Sequence, residues 1–355
     1  MTTHPQIGNL LQKAAKAGNC PLLILAPMQD VTDLPFMRVM ERYGGPDLYY
    51  TEYFRVHGDS KPEKWIVRSI RECPGGKPVI AQVIGQDIPA LVRTAQALER
   101  EPVVGIDLNL GCPAPIVCRK KAGGGLLRHV AEMEKIVAAL RGAVAGPFTV
   151  KTRIGFDGPG EFDALLDVFT RYPIDALTVH GRTVREMYRT AVHYDRIAEA
   201  VRRMDAPVFA NGNVLSVRLA RETITRTGAA GLMIGRGAIR NPWIFTQIRQ
   251  AWAGEAVYRP TLRDLRGYIE ALFEATNHEG FKETLHVAKM KKYLNFIGQG
   301  VDAEEAFLRE IRCAERASQF FAVCDRFLDR DGTVPDEPPA GALFCPRSEA
   351  LASSG

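Results

Sequence analysis

The chain has 355 residues, 46% apolar and 25% charged, ordinary values for a globular protein large enough to bury a sizeable core. No run nears the roughly 20 apolar residues of a membrane span, and the N-terminus lacks a signal-peptide pattern, which argues against a membrane protein. A net charge of +5 permits a polyanionic partner without requiring one. Seven irregularly spaced cysteines argue against a disulfide framework and for a reducing cytoplasm. Cys112 and Cys118 have no neighbouring His or second Cys pair, so no metal is expected.

Residues 1–21 read as an N-terminal extension. Eight β-rich runs then follow at Leu22–Met28, Asp47–Tyr53, Pro78–Gly85, Val103–Cys112, Phe148–Gly155, Ala176–Gly181, Ala206–Gly212 and Gly231–Gly235. Segments such as Ile88–Arg100, Ala131–Arg141, Phe162–Tyr172, Arg196–Arg203 and Val217–Thr227 lie between them. They carry apolar residues three and four apart, the amphipathic helix pattern. Strands alternating with helices predict parallel pairing, and eight units predict a (β/α)8 TIM barrel over 22–255. Several strand runs end in Gln82, Asn109, Lys151 with Arg153, His180 or Asn211. A barrel gathers all of these ends on one face, whereas an open sheet would string them along a line.

From about Tyr258 no strand-like run remains. Leu262–Thr276, Thr284–Phe296 and Glu304–Cys324 each read as one helix, which predicts an all-helical domain over 258–330. Residues 331–355, rich in Pro, Gly, Ser and Ala, are expected to be disordered.

The chemistry centres on Asp107-Leu-Asn-Leu-Gly-Cys-Pro113, a strand that ends in Asn109, a turn-forming Gly111 and the thiol of Cys112. A thiol with a pKa of around 8.5 carries its proton near neutral pH and can donate it without activation. Ala122-Gly-Gly-Gly-Leu-Leu127 reads as a glycine loop mobile enough to close over a substrate, or simply as a flexible connector. Ala26-Pro-Met-Gln29 closes the first strand with a turn suited to a flat ring. Gln82 could bind a heterocycle's imide edge, Lys151 would stabilise negative charge, and His180 stands at a neighbouring strand end. Asn211-Gly-Asn213 and Gly235-Arg-Gly-Ala238 are turns whose amides could approach a phosphate.

Together these segments resemble the tRNA-dihydrouridine synthase family. Ala-Pro-Met-Gln-Asp-Val-Thr-Asp33, Leu-Asn-Leu-Gly-Cys-Pro113, Lys-Thr-Arg153, Val-His-Gly-Arg182, Ala-Asn-Gly212 and Ile-Gly-Arg-Gly-Ala238 stand in the family's order, over Leu23 to about Gln319. The resemblance implies a bound FMN bordered by Pro27, Met28 and Gln29, with Gln82 and Lys151 at its polar edge and His180 nearby. Asn211, Gly212, Asn213, Gly235 and Arg236 would hold its phosphate. It further implies that Cys112 protonates C5 of a D-loop uridine while reduced FMN delivers hydride to C6, with NADPH as reductant. Thr51-Glu-Tyr-Phe-Arg-Val56 and Leu285-His-Val-Ala-Lys-Met-Lys-Lys-Tyr-Leu294 are most similar to the bacterial C-type branch, which acts on uridine 16. Arg55, Asn109, Tyr188, Lys289, Lys291, Phe296 and Arg312 would then contact tRNA, and the chain is expected to act as a monomer.

From Pro260 to Arg330 there are 11 Lys/Arg and 12 Asp/Glu, so net charge does not mark this region as an RNA binder. Clustering does: Lys289, Lys291 and Lys292 form one group, and Arg309, Arg312 and Arg316 are spaced for one helix face. Two alternatives stay open: an FMN barrel reductase of a free pyrimidine or enone, and a non-catalytic tRNA-binding protein.

Overall fold

The computed structural model describes residues 20–339. All eight expected strands form, as β1 (Leu22–Leu25), β2 (Leu48–Tyr50), β4 (Val79–Ile84), β5 (Gly105–Leu110), β6 (Phe148–Arg153), β7 (Ala176–His180), β8 (Val208–Asn211) and β9 (Gly231–Ile234). A two-residue strand β3 (Phe54–Arg55) adds to the end of β4. Pairing is parallel throughout. The ring runs β1–β2–β4–β5–β6–β7–β8–β9 and closes where Leu22 meets Gly231 in register. β4 and β5 are buried along their whole length, which is why they read as nearly unbroken apolar runs. Leu22, Ile24, Leu48, Tyr50, Ile80, Val104, Phe209 and Met233 pack into one core cluster. This is a filled (β/α)8 barrel with no channel.

The helices, in chain order, are α1 (Leu34–Arg42), α2 (Lys64–Arg71), α3 (Ile88–Leu98), α4 (Pro115–Arg119), α5 (Val130–Ala143), α6 (Phe162–Arg171), α7 (Tyr194–Arg203), α8 (Val217–Thr227), α9 (Arg236–Arg240), α10 (Ile244–Ala253), α11 (Leu262–Thr276), α12 (Glu283–Ile297), α13 (Ala306–Cys313) and α14 (Ala317–Leu328). The described residues divide into two compact units. One holds those up to Leu34 with Pro46–Val214 and Arg218–Ile234; the other holds Pro35–Gly45, Leu215–Val217 and those from Gly235 onward.

The second unit is all helical. Thr261 and Asp264 cap α11 reciprocally: Asp264 N–H donates to Thr261 Oγ1 at 3.1 Å, and Thr261 N–H donates to Asp264 Oδ2 at 2.8 Å. Tyr43, Tyr268 and Trp243 pack edge to face with centroids 5.1–6.2 Å apart, and Phe36 stacks on Tyr293 at 5.8 Å.

The single helix expected over Glu304–Cys324 is two helices, α13 and α14, broken at Ala314–Arg316. Ile311 and Phe320 are nine residues apart, which on one continuous helix puts them about 180° from each other. Both are buried, and the break is what allows it. Gln319 Oε1 accepts from the N–H groups of Glu315 and Arg316 and starts the second helix. Arg316 therefore does not share a helix face with Arg309 and Arg312. The tail expected to be disordered has defined partners as far as Glu337, whose carboxylate accepts from Ser216. Thr333 bridges Thr261, and buried Arg240 donates to the carbonyls of Pro335 and Asp336. Residues 1–19 and 340–355 lie outside the described residues, with most of the expected N-terminal extension and the rest of the tail.

Asp87 Oδ1 accepts the Ala90 N–H at 3.0 Å and caps α3. Asp87→Ala is expected to cost about 1 kcal/mol, read as a lower urea midpoint at unchanged slope.

Candidate active site

β5 ends at Leu110, and the next turn is built by one side chain. Asn109 Oδ1 accepts the N–H groups of Gly111 (3.0 Å) and Cys112 (2.9 Å), fixing the backbone that carries the thiol. Cys112 is partly exposed, and its Sγ lies 4.0 Å from the Tyr53 hydroxyl. The glycine segment is not a mobile loop. Gly123, Gly124 and Gly125 are buried in a 3-10 turn under Cys112, and the Gly124 N–H donates to the Cys112 carbonyl at 3.0 Å. A Cβ on Gly124 would sit 2.6 Å from Val184 and 2.9 Å from that carbonyl, and one on Gly125 would lie 2.5 Å from the Cys118 carbonyl. Close approach, not flexibility, demands the three glycines.

Behind the turn lies a buried polar layer. Asn109 Nδ2 donates to Gln82 Oε1 (2.7 Å), and Gln82 Nε2 donates to Asp107 Oδ2 (2.7 Å). Thr149 donates to Asp107 Oδ1 (2.6 Å), and Tyr50 lies 3.5 Å from Thr149. Gln82, expected at the edge of a bound ring, is buried, and its amide bonds both Asp107 and Asn109. Burial pushes Asp107 up to about 7, opposed by the hydrogen bonds from Thr149 and Gln82 and by the charge of Lys151. Lys151 is in register with Asn109, and its Nζ donates to Asn211 Oδ1 at 3.1 Å. Burial, then the charge of Arg153, pushes Lys151 down to about 8. Asn211 is oriented from behind by donating to the Met233 carbonyl at 2.8 Å.

Two buried arginines fix the β7–α7 loop. Arg153, 1% exposed, donates to the carbonyls of Gly111 (3.0 Å), Thr183 (2.8 Å) and Met187 (2.7 Å), and Tyr188 covers its guanidinium at 5.2 Å. Arg182 donates twice to the Thr190 carbonyl and lies 3.4 Å from His180 Nε2. Tyr188 is thereby held 6.0 Å from the His180 ring. The structure thus brings Asn109, Cys112, Lys151, His180, Tyr188 and Asn211 to one end of the barrel, around the C-terminal ends of β5 to β8.

The turn after β1 is also tight. Met28 N–H donates to Thr32 Oγ1, and Glu52, at the end of β2, accepts the Val31 N–H at 3.2 Å. Pro27, Met28 and Gln29 stay partly exposed, and Gln29 Oε1 is buried without a hydrogen-bond partner. After β8, Gly212 (φ 129°) and Asn213 (φ 52°) both adopt positive φ, and neither N–H is hydrogen bonded among the described residues. A Cβ on Gly212 would press on Val192 (3.1 Å) and His180 (3.3 Å). Gly235 and Arg236 follow β9 directly in the chain.

Arg55 is exposed, its guanidinium 5.8 Å from the Tyr53 ring. In the helical unit, Lys291 Nζ donates to the Arg312 carbonyl (2.9 Å), and Arg312 donates to Asn295 Oδ1 (3.1 Å), so these two cations share one patch. Lys289 and Phe296 stand on the same helix, α12. Sequence reasoning gave no role to Asp107, Tyr53 or the exposed run Arg119-Lys120-Lys121 that follows the thiol turn. A carboxylate inside the apolar run Val103–Leu110 was the available signal for Asp107.

Glu52 is 5% exposed, and burial, then the charges of Asp33 and Asp30, raises it to about 7. A carboxyl raised on folding contributes stability that is fully present at low pH and lost as pH rises through the folded value. Between pH 5.5 and 8.5 this one group is expected to cost on the order of 2 kcal/mol. Glu52→Gln should therefore flatten the fall in Tm over that range, leaving the share from Asp107; an unchanged slope would rule Glu52 out.

The family description "Dihydrouridine synthase (Dus)" matches residues 24–330. A Pseudomonas putida protein named tRNA-dihydrouridine synthase B is 34% identical over 77% of this chain and 81% of its own length. Another of that name from Vibrio cholerae is 32% identical over 88% and 98%. A Haemophilus ducreyi protein named tRNA-dihydrouridine(16) synthase is 32% identical over 78% and 86%. Among solved structures, 2-naphthoyl-CoA reductase (TM-score 0.53, 11% identity, 66% of this chain, 50% of that one) and histamine dehydrogenase from Rhizobium sp. 4-9 (TM-score 0.50, 12%, 72% and 49%) share the fold. This chain spans about half the length of those two. Among the described residues, no helix is long and apolar enough to cross a membrane. With the barrel, the thiol turn and a match from residue 24 to residue 330, the chain belongs to the dihydrouridine synthase family.

Proposed function

We propose that this protein is a cytoplasmic, FMN-dependent tRNA-dihydrouridine synthase that reduces uridine 16 of the D-loop, with Cys112 as the proton donor and NADPH as the reductant. The observation that carries the reading is the placement of Cys112. Its partly exposed thiol stands on a turn fixed by Asn109, among the strand ends that bear Lys151, His180 and Asn211. Barrel enzymes assemble their chemistry at such strand ends.

The residues fit a flavin. Gln29 Oε1 is a buried acceptor without a donor, Lys151 is an enclosed cation, and the turn at Gly212 and Asn213 presents two unpaired amides. Pro27, Met28 and Gln29 would border the ring, with Gln82 and Lys151 toward its polar edge and His180 nearby. Asn211, Gly212 and Asn213, with Gly235 and Arg236 beyond the next strand, would take the phosphate. When held there, the flavin would supply the hydride needed at C6 of the base. The chain's own residues do the rest. Asn109 and Tyr188 place the base, which must leave the folded tRNA to reach them. Cys112 gives its proton to C5, and Lys151 holds positive charge at the site.

Binding of tRNA is electrostatic in this reading. Arg119, Lys120 and Lys121 are exposed beside the thiol turn and make no ion pair among the described residues. Lys291 and Arg312 form the patch of the helical unit, with Lys289 and Phe296 on α12 and Arg55 beyond Tyr53. The position-16 assignment is supported by the segments around Arg55 and Lys289 and by the name of the Haemophilus ducreyi relative.

Dihydrouridine mapping in tRNA from a strain lacking this gene tests reaction and position together. Modification at position 16 should vanish and return with the wild-type gene, but not with Cys112→Ala, which should still bind tRNA. Near-normal turnover by Cys112→Ala would remove the thiol from the acid role; disappearance at another position would overturn the assignment to 16. Lys291→Ala and Arg312→Ala should each weaken tRNA binding and lower the slope of log K against log salt by about 0.7–0.9 for every phosphate the side chain had neutralised. An unchanged slope would place the RNA elsewhere.

A further inference from the structure

Five large apolar side chains are exposed among the described residues, and two of them, Trp65 (59% exposed) and Ile116 (62%), belong to the barrel unit. Single apolar side chains scattered over a surface need no explanation. These two are not scattered. Trp65 is the second residue of α2, and Ile116 is the second residue of α4. A helix that follows a barrel strand starts at the end where the strands finish, which is the end that carries Cys112.

The two segments leave that rim side by side. β3 pairs with the last residues of β4, Phe54 with Val83 and Arg55 with Ile84, and β4 pairs along β5, which runs into the thiol turn. Both segments are fixed before anything binds. The Ser60 N–H donates to the His57 carbonyl (2.8 Å), the His57 N–H donates to Ser60 Oγ (2.9 Å), and Arg93 donates to the Gly58 carbonyl. Pro113 and Pro115 lock the backbone ahead of Ile116, and the N–H groups of Val117 and Cys118 donate to the Ala114 carbonyl at 2.9 and 3.0 Å. An apolar side chain held in water on a stiff turn has surface to bury and little ordering cost on binding.

Charge says what covers them. Residues 54–65 and 113–121 hold six Lys/Arg and two Asp/Glu. Lys61, Lys64, Arg119, Lys120 and Lys121 are exposed and make no ion pair among the described residues. A second copy of this chain, at net charge +5, would bring like charge to the rim. A polyanion with flat apolar rings meets both features. A uridine that swings out to Cys112 also leaves its neighbours without a stacking partner. On the tRNA reading proposed above, we infer that Trp65 and Ile116 are nucleotide-contact residues: each packs against a base left unstacked when the uridine enters the site, while the cations around them take phosphates.

The test is binding of an unmodified tRNA transcript with uridine at position 16 to the full chain over a salt series, with turnover assayed in parallel. Trp65→Ala and Ile116→Ser should each raise Kd by about fivefold or more. Neither should change the slope of log K against log salt, because neither removes a charge. Trp65→Phe and Ile116→Leu keep a ring and an apolar bulk, and should bind within about threefold of wild type. Both positions are exposed, so urea midpoints should not move. An unchanged Kd for either Trp65→Ala or Ile116→Ser overturns the inference, and so does a fall in slope as large as the loss of a cation gives. Wild-type binding to phosphatidylglycerol vesicles that these substitutions abolish, with tRNA binding intact, would assign the rim to a membrane surface instead. The two readings fail separately. Binding that depends on Trp65 and Ile116 without any dihydrouridine formed sinks the synthase reading and keeps this inference; normal turnover with both substitutions silent does the reverse.

Discussion

The organising constraint is that a closed parallel barrel leaves no water beside its inner side chains. Polar groups there must satisfy one another or cost several kcal/mol each. Asp107, Gln82, Thr149, Tyr50 and Asn109 meet that demand as one hydrogen-bonded chain, with Lys151 and Asn211 paired beside it. Below this layer the core is aliphatic and aromatic; above it stand the reactive groups. The layer is therefore both the lid of the core and the floor of the site.

The loops over that floor are held by charge rather than by apolar packing. Arg153 gathers three carbonyls from two different loops, and Arg182 holds Thr190 beside His180. A buried guanidinium is tolerated because those carbonyls replace its lost hydration. Met187, at φ 54°, is one of the residues so held, and the bond to Arg153 offsets the strain of that conformation. The thiol turn and the Tyr188 loop are consequently tied to one another through a single side chain.

The helical unit has a different logic. Its core is built on aromatic contacts among Tyr43, Tyr268 and Trp243 and between Phe36 and Tyr293, while Arg240 draws the segment after Asp331 onto it. Lys291 and Arg312, on α12 and α13, lie near a backbone carbonyl and an asparagine instead of carboxylates. That leaves their charge available to an anion.

The sequence by itself determined the eight strands, their parallel order and most helices, because period-2 and period-3.6 patterns are local and strand ends bearing Gln82, Asn109, Lys151, His180 and Asn211 stand out against apolar runs. Family motifs in their proper order marked Cys112. Only tertiary structure decided the rest. Whether Gly123–Gly125 move or pack depends on what lies against them, and Val184 and the carbonyls of Cys112 and Cys118 are remote or turned back in the chain. That Gln82 bonds Asp107 depends on a neighbouring strand's register. Helical periodicity could not show the break at Ala314–Arg316, since it is imposed by where the two buried faces must meet. The thiol and its strand are written in local sequence; the direction in which each amide beneath it points is a property of the closed barrel.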